Sequence, residues 1–271
     1  MPHFFINSSQ VDNDKIIISD KENYLHIARS LRSRIGENLL LIDENQIQYE
    51  TAIEEITNSE IITSINNKYP SKRYLDFELY LAQSPLRSDA QNLLIEKATE
   101  LGVNGIYPVK TDNCALNSEM IDKKIPKWQK IMYEASKQCE RAIVPTCFER
   151  TTFEKLFQDV KFDKIIVFCE RIASRTIRDS FKDKPIRKGE KVLVIIGPEG
   201  GFSQREFDYI RYCKTSGDSS HSVIRRVKPE ECIAQNDKIE MLTLGDMILK
   251  AETATTVALG NIIYEYSNSD R

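Results

Sequence analysis

The sequence predicts an α/β protein of two domains, a small β-barrel followed by a mostly parallel sheet covered by helices. Two observations carry this. Residues 1–70 are rich in short alternating or β-branched segments separated by turn residues, with one helical stretch among them. From residue 74 strands alternate with amphipathic helices, the rhythm of parallel strands joined by helical crossovers. A chain of 271 residues is long enough for both cores.

In the first region, "KIIIS", "ENLLLID", "QYETAIEEI" and "EIITSI" are the strand segments, and several short strands around one helix suggest the barrel. The helix is "SDKENYLHIARSLRSRIG", with Ser19 as N-cap, Glu22 completing a capping box and Gly36 at its end. Leu25, Ala28 and Leu31 form a stripe suited to packing on the barrel. His26, Arg29 and Arg32 recur at i, i+3 and i+6 beside it, and Arg34 follows in the next turn. The polar stretch "NNKYPSKR" (66–73) reads as a linker.

In the second region, "LDFELYLAQ" is a strand and "SDAQNLLIEKATELG" a helix capped by Ser88 or Asp89, with Ala90, Leu94, Ala98 and Leu101 as its apolar stripe. "GIYPVK" is a strand, "KWQKIMYEASKQCERA" a helix with Trp128, Ile131 and Ala135 facing the core, "FEKLFQDV" a short helix and "KIIVFCE" a strand. "KVLVIIG" leads into a glycine loop and a helix from Ser203; "MLTLG" precedes a last helix, "ILKAETATTVALGNIIYEY".

Composition narrows the function classes. Apolar content of 41% and charged content of 29% are those of a soluble globular protein. No apolar run is long enough for a membrane span, and the first residues lack the basic and apolar regions of a signal peptide. The six cysteines form no C-x-x-C pair and the three histidines are scattered, so no metal site is expected. Unpaired thiols point to a reducing cytoplasm. A net charge of −3 gives no global attraction to nucleic acid, so any RNA contact must rest on a local basic surface.

The stretch "IGPEGGFSQRE" (196–206) is the most specific local signal. Ser203 and Glu206 form an S-x-x-E capping box, and Phe202 and Phe207 are spaced for a hydrophobic staple. Gly197, Gly200 and Gly201 permit positive φ and close backbone approach, while Pro198 stiffens the loop. The P-loop, dinucleotide and nucleophile-elbow patterns are all absent. A second glycine turn at a strand end, "TLGDMIL" (243–249), lets two turns converge on one flat ligand such as a nucleoside.

"IGPEGGFSQRE" followed by "LGDMILKAETA" resembles the paired signature of the SPOUT-class RNA methyltransferases. More narrowly, it is similar to the bacterial family that methylates N3 of a uridine in small-subunit (16S) ribosomal RNA. "HIARSLRSRIGE" (26–37), "EKATELGV" (96–103) and "EASKQCERAIVP" (134–145) fit that family in the same order. The resemblance implies a PUA-like RNA-binding barrel over 1–70 and a SPOUT domain with a C-terminal trefoil knot over 74–271. It also implies a homodimer, S-adenosyl-L-methionine as methyl donor, and ribosomal RNA or the small subunit as partner. It places the donor on Gly197, Pro198, Glu199, Gly200 and Gly201, and on Leu244, Gly245, Ile248 and Leu249, with Glu170 as a third contact. Glu199 is the candidate acceptor of the uracil N3 proton, and Arg141 and Lys250 are candidate cations beside the developing anion. His26, Arg29, Arg32 and Arg34 become RNA-binding candidates; Arg171, Arg175 and Arg178, and Arg225, Arg226 and Lys228, are further basic clusters.

Met247 and Lys250 stand where the family usually carries arginines, and the segment 215–240 exceeds the family length. Two alternatives stay open: another SPOUT enzyme acting on tRNA or a different ribosomal atom, and a non-catalytic RNA-binding assembly factor.

Overall fold

The β-branched segments near the N-terminus pair into one six-stranded sheet. The computed structural model describes residues 3–71, 75–159, 162–169, 172–215 and 238–269. The chain divides into two units, Met1–Tyr74 with Ser136–Val144, and Leu75–Ala135 with Pro145–Arg271. The first unit thus takes in a segment that a single cut near residue 70 assigns to the second.

In the first unit the strands are β1 (His3–Phe5), β2 (Val11–Asp12), β3 (Lys15–Ile18), β4 (Asn38–Ile42), β5 (Ile47–Ile56) and β6 (Ile61–Pro70), in the spatial order β1-β4-β5-β6-β3-β2. β1 joins β4 in parallel, and the other ladders are antiparallel. Alternation along these strands puts Ile16, Ile18, Leu39, Leu41, Ile53 and Ile61 in one core with Phe4 and Ile27. The expected linker begins too early: Asn67, Lys68, Tyr69 and Pro70 pair with β5. Their polarity reflects a solvent-facing strand end, where side chains bond outside the core, as Tyr69 does by donating to Glu50 at 3.0 Å.

The helix of this unit departs from expectation at both ends. Its N-cap is Asp20, not Ser19, because the Asp20 carboxylate accepts the Asn23 N–H at 2.9 Å. The α-helical part, α1 (Lys21–Tyr24), then widens into a π-helical turn over Leu25–Ser30, well short of Gly36. The Leu31 N–H reaches back five residues to the His26 carbonyl at 2.9 Å. That wider turn shifts the apolar face. Ile27 is wholly buried, whereas Leu25 and Leu31, expected against the barrel, are 42% and 45% exposed.

The second unit is built on β7 (Glu78–Gln83), β8 (Gly105–Lys110), β9 (Thr146–Cys147), β10 (Thr151–Thr152), β11 (Lys164–Phe168), β12 (Lys191–Ile196) and β13 (Ile239–Leu242). Their order is β10-β8-β7-β12-β11-β13, with β9 also on β8, and every ladder is parallel. Such strands are covered on both faces, which explains why β11 and β12 read as apolar runs after an opening lysine. The covering helices are α2 (Ser88–Glu100), α3 (Ser118–Gln138), α4 (Phe153–Asp159), α5 (Ile177–Asp183), α6 (Gln204–Thr215) and α7 (Ala251–Ser269).

α2 has Arg87 at its N-cap, without a side-chain cap; Ser88 and Asp89 lie inside the helix. α3 starts at Ser118, nine positions before the expected Lys127, because Asn117 accepts the Met120 N–H at 2.9 Å and caps it there. Trp128 is in the core as expected. β1 and α5 were not foreseen: β1 has only three residues, and α5 sits among charged side chains. Arg175, expected as part of a basic surface, is tied to Asp183 at 2.6 Å and to Glu240 at 3.7 Å. Cys114, Cys139, Cys147 and Cys169 form no disulfide, but Cys213 is disulfide-bonded, so the expectation that all thiols are unpaired fails there. Arg171, the cluster Arg225, Arg226 and Lys228, and most of the long 215–240 segment lie outside the described residues. The path on which the implied knot depends includes residues 216–237, also outside them. No described helix is long and apolar enough to cross a membrane.

Candidate functional site

Central strands β7 and β12 are neighbours although β8 follows β7 in sequence and lies on its other side. The carboxyl ends of the sheet at such a reversal form a crevice. β12 ends at Ile196; two positions on, Pro198 has no N–H to continue the ladder, and the chain turns. Gly201 lies at φ +71°, a conformation that a side chain would strain, and its N–H closes the turn on the Pro198 carbonyl at 2.9 Å.

The two local predictions for this loop hold. The Ser203 N–H donates to the Glu206 carboxylate at 2.8 Å, and the Glu206 N–H donates to the Ser203 hydroxyl at 3.2 Å. The Phe202 and Phe207 rings meet edge to face at 5.7 Å between centroids.

Beyond these, the loop is gripped from the end of β8. The second Glu206 oxygen accepts the Asp112 N–H at 2.9 Å, so one buried carboxylate, 1% exposed, joins two strand ends. Asp112 receives two bonds from Arg205, at 3.0 and 2.7 Å, and this guanidinium holds its carboxyl below the ordinary range. The Asn113 amide donates to the Gly201 carbonyl at 3.0 Å. On the opposite side, Gln83 at the end of β7 donates to the Gly197 carbonyl at 3.3 Å and accepts from the Thr255 hydroxyl at 3.2 Å. Pattern reading missed Gln83, Asp112, Asn113 and Thr255, because their partners are distant in sequence.

The second turn is shaped by Thr243, whose hydroxyl accepts the Gly245 N–H at 3.1 Å, and by Gly245 at φ +121°. α7 begins at Ala251, three residues later than expected, with the Ala254 N–H bonded to the Lys250 carbonyl at 2.7 Å. Residues 248–250 therefore lie ahead of the helix, outside any regular element.

Between the two turns lies a cavity of about 670 Å³, within the range of small-molecule sites. Its walls are residues 196–202 and 248–252, with Ala90, Phe168, Cys169, Phe207 and Ala254. The expected donor-site residues Gly197, Pro198, Glu199, Gly200, Gly201, Ile248 and Leu249 all border it, and so does Lys250. Leu244 and Gly245 do not line it; Gly245 shapes the turn that precedes its second wall. Glu170 lies outside the described residues. Arg141 is buried in the 136–144 segment of the first unit and is not among the lining residues.

In the first unit, Arg29, Arg32 and Arg34 are exposed, and His26 is half-buried with its ring edge-on to Phe4 at 5.3 Å. Among the described residues no group of three or more His, Cys, Asp or Glu side chains could hold a metal ion.

Residues 73–217 match the family model of an RNA methyltransferase domain, and residues 14–66 match an RNA methyltransferase PUA domain. The chain is 23% identical over 272 residues to ribosomal RNA small subunit methyltransferase E of Bacillus subtilis (strain 168), covering 98% of this chain and 97% of that one. It is 25% identical over 267 residues to the protein of the same name from Mesomycoplasma hyopneumoniae (strain 232), covering 97% and 99%. The crystal structure of ribosomal RNA small subunit methyltransferase E from Neisseria gonorrhoeae, bound to S-adenosyl methionine, superposes with a TM-score of 0.76 at 21% identity, covering 97% of both chains.

Proposed function

The chain belongs to the RNA methyltransferase domain family, with a SPOUT-type fold behind a PUA-like β domain, and from that premise we propose that it methylates N3 of a uridine in small-subunit ribosomal RNA. S-adenosyl-L-methionine is the proposed donor. The observation that carries this reading is the cavity where the two glycine-bearing turns meet. The relatives named for the small ribosomal subunit support the substrate, and the neighbour bound to S-adenosyl methionine supports the donor.

The residues present fit that donor. A Cβ on Gly197 would lie 3.2 Å from the Phe202 ring, so glycine keeps this wall open. Phe168, Phe202, Ile248 and Leu249 offer apolar surface to an adenine, and Glu199 and Glu252 place two carboxylates where a ligand with cationic groups would lie. Bound there, the cofactor supplies a methyl group activated on a sulfonium. The chain's contribution is then alignment, because a methyl transfer in line needs positioning more than covalent help. Glu199, exposed on the cavity wall, accepts the N3 proton, and Lys250 on the other turn offsets the negative charge that develops on the base. Arg141, carried by the first unit, is the other candidate cation for that charge. Arg29, Arg32 and Arg34 hold RNA phosphate, with His26 beside them. The protein acts as a cytoplasmic homodimer.

Mass spectrometry of ribosomal RNA from cells lacking the protein tests the function. Loss of one N3-methyluridine, restored by the intact gene, is the expected result; an unchanged modification map refutes it. Glu199→Gln should lower turnover far more than it weakens donor binding, and unchanged turnover removes Glu199 as base. Met247, 76% exposed, and Lys250 favour one rival, a non-catalytic RNA-binding factor. Failure of the folded protein to bind S-adenosylmethionine in calorimetry would select that rival.

A further inference from the structure

We propose that Gln83 is a positioning residue that locks the two walls of the donor cavity together, an inference that rests on the S-adenosylmethionine reading above. Gln83 is wholly buried at the last position of β7, paired in register with Ile196 of β12. It does not itself line the cavity. Its amide nitrogen donates to the Ser84 carbonyl at 2.8 Å and to the Gly197 carbonyl at 3.3 Å, and its oxygen accepts the Thr255 hydroxyl at 3.2 Å. Gly197 opens the first turn. Thr255 sits in the opening turns of α7, whose Ala251 and Ala254 border the same cavity. One side chain therefore spans two walls contributed by segments far apart in sequence.

Only a carboxamide of this length can do so. Two N–H donors serve two carbonyls, and one oxygen serves the hydroxyl. A glutamate at this position would set a carboxylate oxygen against two carbonyl oxygens. A methionine fills the space but leaves the Gly197 carbonyl and the Thr255 hydroxyl without that partner. In a buried network a missing member costs more than a surface bond does, because water cannot replace it. The Thr255 hydroxyl has one proton, shared between Gln83 and the Ala251 carbonyl at 2.9 Å. Thr255→Val is nearly isosteric and cuts the link, whereas Thr255→Ser keeps it.

The test is calorimetric titration of the full chain with S-adenosylmethionine, alongside thermal melts and RNA gel shifts. Thr255→Val and Gln83→Met should each weaken donor binding by about tenfold. The double variant should be no weaker than the worse single one, as expected of two groups acting through one bond. Thr255→Ser should stay within about twofold of the wild type, and RNA affinity should not move in any variant. Variants that melt cooperatively yet bind the donor as tightly as the wild type overturn the proposal, as do single costs that add in full. If Gln83→Met fails to fold, Thr255→Val and Thr255→Ser decide the matter alone. A wild-type protein that binds no donor defeats the parent reading and this inference together; a binding wild type with equally binding variants defeats only this one.

Discussion

Replacing Glu206 by alanine should be the most damaging single change near the glycine loop. Its carboxylate accepts the Ser203 N–H at 2.8 Å and the Asp112 N–H at 2.9 Å, in a site where only 1% of the residue is exposed. A hydrogen bond to a charged group contributes roughly 1.5–3 kcal/mol, and a donor left buried loses its hydration as well. Alanine returns only a few tenths of a kcal/mol in helix propensity. The expected loss is therefore about 3–4 kcal/mol from the second unit. Glu206→Gln keeps one acceptor and turns an NH2 toward the other donor, so roughly half that loss is expected. Trp128, the only tryptophan, is buried in α3 and reports unfolding by fluorescence. With a urea slope of about 2 kcal/mol/M, the alanine variant should shift the midpoint down by about 1.5–2 M. A shift below about 0.5 M would refute the account of Glu206 as the joint between the ends of β8 and β12.

Three other outcomes follow from local geometry. His3 is buried with neither ring nitrogen hydrogen-bonded, and burial lowers its pKa against the opposing pull of Glu140. The unfolded chain then binds the proton more readily, so stability is full above a pH of about 6.5 and falls as pH drops below it; His3→Phe should reduce that acid slope in melting temperature, and an unchanged slope refutes it. Gly105→Ala would place a Cβ 2.4 Å from the Phe148 ring and 3.0 Å from the Thr146 carbonyl. Overpacking of that kind costs about 1–3 kcal/mol, so a melting temperature equal to the wild type's would exclude the clash. Replacing Arg29, Arg32 and Arg34 together by alanine should lower the slope of log affinity for RNA against log salt by about two units, and an unaltered slope removes them from the phosphate contacts.

What was legible in the sequence was what is local. The Ser203–Glu206 capping box and the Phe202–Phe207 staple each join residues no more than five positions apart, and both appear as read. The parallel sheet was legible because β11 and β12 are apolar after the lysine that opens each, as strands covered on both faces are. The π-turn at Leu25–Ser30 was not: an i, i+3, i+4 template assumes an α-helix, and the template misplaced Leu25 and Leu31. Polar residues at the end of β6 imitated a linker because a solvent-facing strand needs no apolar alternation. At the site, the glycines announced the cavity, but the side chains that hold it did not. Gln83 meets Thr255 172 positions away, and Asp112 meets Glu206 94 positions away. Such pairs leave no spacing to find.

The strand order also bears on when the cavity can exist during synthesis. Its walls are drawn from Ala90, from the ends of β11 and β12, and finally from residues 248–254. β7 waits for β12, its neighbour in the sheet, while more than a hundred intervening positions are made. A nascent chain that has emerged only as far as α6 has the glycine loop and its clasp from Asp112 and Asn113, yet one wall is missing. Pairings this distant in sequence form slowly and late. The donor therefore has no complete pocket to enter, and cannot act as a folding ligand, until Thr255 has reached Gln83.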